Sequence, residues 1–177
     1  LRTVIAILLF ASSALAQVGF QPRISVTGSD GPNVWYDTTA TLTGWLGIGA
    51  SFMEWGSVTA AQAGTVTQLR VVARGGLSDQ TIKVALYTNG TLCVSGTTGT
   101  ITASSAEATY TITLGASSYV AAGTHKLAVS ASGGVDVRVQ SAGSGDFATQ
   151  SYAGFPPGTL PTTEGGVALP VIGAYFD

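Results

Sequence analysis

Five aromatic side chains crowd one short stretch: Trp35, Tyr36, Trp45, Phe52 and Trp55 all fall between residues 35 and 55. An exposed Trp or Tyr ring gives a flat apolar face with a polar edge, which is the chemistry that holds a sugar ring. The same rings are also what fills the interior of a β-sandwich. In an extended chain alternate residues face opposite sides. In "VWYD" that separates Trp35 from Tyr36, and in "FMEWG" it sets Phe52 against Met53 and puts Met53 with Trp55. A second aromatic group, Tyr152 and Phe155, belongs to the proline-rich "YAGFPPGTLP". The candidate ligand-binding residues are therefore Trp35, Tyr36, Trp45, Trp55, Tyr152 and Phe155, with core packing as the competing reading of the set.

Catalytic chemistry has less to work with. The lone histidine, His125, is the only base for a Ser-His-Asp arrangement, and no G-x-S-x-G elbow accompanies it. A strand histidine with a structural role is the simpler reading. Zinc needs three or four Cys, His or carboxylate ligands, and the chain holds one Cys and one His. A glycosidase pair would have to come from Asp30, Asp37, Glu54, Asp79, Glu107, Asp136, Asp146 and Glu164, and no spacing among them selects two. "GSDGPN" (28–33) and "GSGDF" (143–147) carry oxygen ligands of the kind calcium uses, yet ordinary Asx-turns explain both. Cys93 lies in an apolar strand pattern and reads as a small buried hydrophobe. The expectation is no enzyme, no cofactor and no metal.

The elements that must position these residues repeat with a period of two. "TQLRVVAR" (67–74) sets Leu69 with Val71, and "TIKVALYT" (81–88) sets Ile82, Val84 and Leu86 against Lys83 and Tyr87. "ATYTITL" (108–114), "HKLAVSAS" (125–132) and "VDVRVQ" (135–140) alternate in the same way. These are half-buried strands, rich in β-branched residues. Asn89-Gly90 between "ALYT" and "TLCVS" predicts a two-residue type I′ hairpin. Its expected pairs are Thr88 with Thr91, Tyr87 with Leu92, and Leu86 with Cys93. "TAAQAG" (59–64) reads as a loop with one turn. Residues 145–170, with four of the six prolines, read as a long surface loop, either a binding segment or a packed crossover. "VIGAYF" (171–176) reads as a final strand closing a sheet. Short strands at this spacing predict an all-β fold, a β-sandwich or a barrel, and the expected architecture is a single antiparallel β-sandwich over residues 17–177.

From Val66 to Ser132 the strings "TQLRVVARG", "IKVALYTNGTLCVSGT", "YTITL" and "YVAAGTHKLAVSAS" resemble a jelly-roll-like β-sandwich module. That module occurs in bacterial secreted and surface proteins and in phage tail or fibre proteins. "YAGFPPGTLP" and "LPVIGAYF" fit the same resemblance. It implies a jelly-roll arrangement and a glycan-binding or structural role. The Trp or Gly-Trp that many such modules carry before the strand reading "ATYTITL" here is missing from this chain.

The opening "LRTVIAILLFASSALAQ" has one arginine, an apolar run and an Ala14-Leu15-Ala16 site, the three parts of a secretory signal peptide with cleavage after Ala16. The competing reading is a retained hydrophobic helix, ending near Gly19 and Pro22, as pilin-like subunits keep. Ile5 stands where bacterial pilins carry a glutamate. Charged residues are 9% of the chain, against about 25% in an average protein. Such a surface repels its neighbours weakly and favours self-association. The net charge is −2 and the cations Arg23, Arg70, Arg74, Lys83, Lys126 and Arg138 are scattered, which argues against nucleic acid. The expected protein is thus secreted, extracellular or on the cell surface, with no membrane anchor once residues 1–16 are removed. It adheres through a glycan or surface polymer; the alternative is a homo-oligomeric structural subunit of a filament, sheath or virion appendage.

Overall fold

The computed structural model describes residues 33–34, 42–60, 62–170 and 172–176. Residues 1–16, Trp35, Tyr36 and most of "GSDGPN" lie outside them. The regular elements among the described residues are eleven strands, β1 (Asn33–Val34), β2 (Leu42–Ile48), β3 (Phe52–Ala60), β4 (Gly64–Arg74), β5 (Ile82–Thr88), β6 (Thr91–Thr97), β7 (Ala108–Val120), β8 (Gly123–Ala131), β9 (Val135–Thr149), β10 (Gly165–Pro170) and β11 (Ile172–Phe176), with one 3-10 turn at Tyr152–Gly154. All pairings are antiparallel.

The strands form two layers. One runs β3-β8-β5-β6. The other runs β2-β9-β4-β7. β9 belongs to both: Val135–Gln140 lies beside β2, and Asp146–Thr149 lies beside β3. β10 extends along β9, and β11 then moves over to β4, with β1 on its far side.

The alternation read from sequence decides the interior. Leu69 and Val71 of β4, Ile82, Val84 and Leu86 of β5, Leu127 and Val129 of β8, and Val135 and Val137 of β9 meet between the layers, nearly all without exposure. Apolar area removed from water stabilises by about 25 cal/mol per Å², so this continuous cluster is the main drive to fold.

The Asn89-Gly90 hairpin forms as its residues require. Both central residues have positive φ, 50° and 78°, the type I′ condition. Thr88 pairs with Thr91 and Tyr87 with Leu92, but Leu86 pairs with Val94. Cys93 is the extra residue of a bulge, which corrects the expected third pair. β3 replaces the start of the expected loop at 59–64, since it continues to Ala60. The long loop expected over 145–170 is also shorter. β9 runs on to Thr149 and β10 begins at Gly165, so irregular chain is confined to 150–164. "GSGDF" is consequently strand rather than a loop.

Candidate functional site

β5, β8 and β3 have a second covered face. In an exposed sheet Lys83 and Tyr87 would meet water. Here residues 150–164 fold back over them and complete a small second core of Met53, Trp55, Ala85, Tyr87, Ala128, Ala148 and Phe155. Polar groups tie the segment down. Lys83 Nζ donates to the carbonyls of Tyr152 (2.9 Å) and Phe155 (3.0 Å) and lies 4.3 Å from the centre of the Tyr152 ring. Tyr87 Oη donates to the Pro157 carbonyl at 3.0 Å. Burial pushes the Tyr87 phenol above its ordinary value, so it stays a donor. Thr81 Oγ1 and Tyr152 Oη share a 2.6 Å hydrogen bond. At the far end Leu92 N donates to the Gly158 carbonyl and Leu160 N to the Gly90 carbonyl. Glu164 accepts from Thr149 N and Oγ1, which holds its carboxyl below its ordinary value.

This arrangement corrects two of the expected sites. Trp55 and Phe155 are 2% and 3% exposed; their rings are interior and offer no face to a sugar. The physical reason is that both sides of β3 are covered, so Met53 to Gly56 are all buried. Tyr152 stays half-buried at the margin, with its hydroxyl and one ring face already engaged.

Trp45 is placed differently. It stands half-buried on the outer face of the β2-β9-β4 layer, opposite Arg138 in register. Asp136 has Gly47 of β2 on one side and Arg74 of β4 on the other. The indole therefore reaches across β9, with the Arg74 guanidinium carbon 4.2 Å and that of Arg138 4.9 Å from its ring centre. An indole is the best aromatic partner for a cation, and it aligns both arginines over the strand. Arg74 Nε and Nη2 both reach Asp136 Oδ2, at 2.8 and 2.7 Å. Arg138 Nε is buried without a hydrogen bond, 3.8 Å from Glu107 Oε1. A guanidinium carries five donors and this geometry leaves several of them unused. The cluster can accept a carboxylate, sulfate or polarised hydroxyl at its rim. The sequence reading named Trp45 but gave the arginines no role. Their outward position follows from alternation in β4 and β9, whereas their meeting with Trp45 depends on a cross-strand register that no local pattern prints.

The remaining reactive side chains are held structurally. His125 is buried, with Nδ1 2.9 Å from Thr88 Oγ1 and Nε2 3.0 Å from the Ala121 carbonyl. Cys93, half-buried, packs against the main core with Sγ 3.1 Å from Thr88 Oγ1. Glu54 is 6% exposed and faces the interior, since Met53 and Trp55 point the other way and its register partner Val129 is a core residue. Its Oε2 has no hydrogen-bond partner. Desolvation raises its carboxyl from an ordinary 4.5 to about 7. Among the described residues no three His, Cys, Asp or Glu side chains are grouped to hold a metal ion, and no helix is long and apolar enough to cross a membrane. No family model matches the chain, and comparison with curated proteins and with solved structures gives no significant match.

Proposed function

We propose that this chain is an exported, non-catalytic adhesion module whose outer β2-β9-β4 face holds a surface polymer, a glycan bearing acidic groups above all. The observation that carries the reading is the Trp45 indole set between the guanidiniums of Arg74 and Arg138. Two guanidiniums held in place by an indole suit a saccharide with a carboxylate or sulfate, because their remaining donors take the anion. A rigid sheet holds all three side chains, so little order is lost on binding. Export rests on the opening apolar stretch and its Ala14-Leu15-Ala16 site. The layer orders β2-β9-β4-β7 and β3-β8-β5-β6 support reading the sandwich as a jelly roll, in keeping with the resemblance drawn from sequence.

The test is a glycan array that includes neutral, uronic and sulfated polymers. Wild type is expected to prefer the acidic ones, and Trp45→Ala and Arg138→Gln each to weaken binding by about tenfold or more, the scale of one good charged contact. Preference for neutral polymers, or binding unaffected by both substitutions, rejects the reading.

A further inference from the structure

Each arginine beside Trp45 has an acid within reach, and the two acids are held in opposite ways. Arg74 faces Asp136 and Arg138 faces Glu107. The four charges cancel, so this cluster exerts little long-range pull on a polyanion and its grip is decided at contact distance. Asp136 is fixed. It lies within β9, where Arg74 Nε donates to its Oδ2 at 2.8 Å and Arg74 Nη2 lies 2.7 Å from the same oxygen. Its Oδ1 turns toward Gly47 of β2, where an added Cβ would stand 3.7 Å away. An ion pair with two donors on one oxygen, seated in a strand, does not give way easily.

Glu107 is not fixed in this way. It is exposed and is the last residue of the irregular stretch before β7. Ala108 of β7 and Val137 of β9 are both partners of Ala73, so Glu107 and Arg138 stand diagonally across the outer face of β4. The carboxylate crosses that diagonal and stops short. Its Oε1 is 3.8 Å from Arg138 Nε, beyond hydrogen-bond reach. Among the described residues that Nε is buried with no hydrogen-bond partner. A buried donor left unbonded is costly, and folded proteins keep few of them. Arg138 is thus the guanidinium whose binding capacity is unspent, and Glu107 is the acid that can move.

We infer that Glu107 is a built-in competitor for the acidic group of the polymer. It holds an anion near Arg138 before the polymer arrives. A carboxylate or sulfate of the polymer then takes its place and accepts the hydrogen bond that Arg138 Nε lacks, while Glu107 swings out to water. One anion is exchanged for another, so Arg138 stays paired throughout. Arg74 keeps Asp136 and serves to hold the indole rather than to take the ligand's charge. Glu107 therefore sets the affinity of each contact, since an incoming anion has to displace it and approach it at close range. It has this role only if the Trp45 face is the polymer site, and the variants below separate the two.

Calorimetric titration of the full chain with polygalacturonate and with dextran sulfate, a carboxylated and a sulfated probe, tests it. Glu107→Gln is expected to tighten whichever probe binds by about two- to fivefold, the strength of one exposed ion pair. The gain is expected to vanish when Arg138→Gln is already present, because the two side chains act on each other. Asp146→Asn removes an equal charge beside Lys126 of β8, away from the Trp45 face, and is expected to give no gain. Glu107 is exposed, and circular dichroism checks that each variant folds. The carboxyl carbon resonance of Glu107, assigned by its loss in Glu107→Gln, is expected to move when wild type is saturated with short oligomers of the better probe. Four results each overturn the role of Glu107 while Trp45→Ala and Arg138→Gln still weaken binding and so keep the polymer site: no gain in Glu107→Gln, a gain that survives Arg138→Gln, an equal gain in Asp146→Asn, or an unmoved carboxyl resonance at saturation. Binding of neither probe, or binding indifferent to both Trp45→Ala and Arg138→Gln, removes the polymer site and the competitor with it.

Discussion

Replacing Glu54 by Gln is expected to make the fold more stable at neutral and alkaline pH and to leave it nearly unchanged in acid. The side chain faces the interior at 6% exposure with one oxygen unpartnered. A carboxylate there would be a buried, unpaired charge, so the folded protein keeps the proton up to about 7, whereas the unfolded chain releases it near 4.5. Between those values the folded state binds more protons than the unfolded one. Stability is therefore full below 4.5 and falls as pH rises to about 7. At about 1.4 kcal/mol per pH unit the loss is about 3 kcal/mol, a large part of the 5–15 kcal/mol typical of a domain. The glutamine cannot ionise, so its contribution is flat. Urea denaturation at intervals from pH 4 to 8, followed by tryptophan fluorescence, gives both curves. Their difference cancels every other titrating group. It should open by about 3 kcal/mol between acid and pH 8. Parallel curves, or a variant that is less stable at pH 8, refute the placement of Glu54 as an unpaired interior acid.

Trp55→Ala is expected to cost about 3–5 kcal/mol of stability, as for other large interior aromatics, and a melting curve reads it directly. Tyr87→Phe removes the bond to the Pro157 carbonyl at a cost of about 1 kcal/mol, and Lys83→Met removes two bonds to the same segment. Both should speed chymotrypsin cleavage after Tyr152, with little change in the unfolding of the sheets. Gly90→Val forces a β-branched residue to a φ of 78° and should destabilise the hairpin by about 1–2 kcal/mol, visible as faster hydrogen exchange across β5 and β6.

The strands that alternate cleanly were legible because one of their faces is buried and the other is not. β4 and the first half of β9 obey that rule, and β5 and β8 were legible because their branched aliphatic residues stand on one face alone, although residues 150–164 cover the other face as well. β3 does not, since residues 150–164 cover its other side, and a pattern of four consecutive buried residues carries no period. The second half of β9 and β10 were read as loop because "SAGSGDF" and "TEGGVALP" are rich in Gly and small residues. Their strand character comes from pairing with each other and with β3. The bulge that expels Cys93 from the hairpin lies beyond what turn chemistry dictates. Trp45 was legible as a candidate from its type alone. Arg74 and Arg138 were not, because their approach to it is made by residues far apart in sequence and adjacent only through the register of β2, β9 and β4.

β9 has a mechanical corollary. A single 15-residue strand is laced into both layers, so neither layer can peel away without drawing on the other. Tension applied along that strand would load its hydrogen bonds in shear, many at once, instead of opening them one by one like a zip. Under such a load, that wiring turns two thin sheets into one strut.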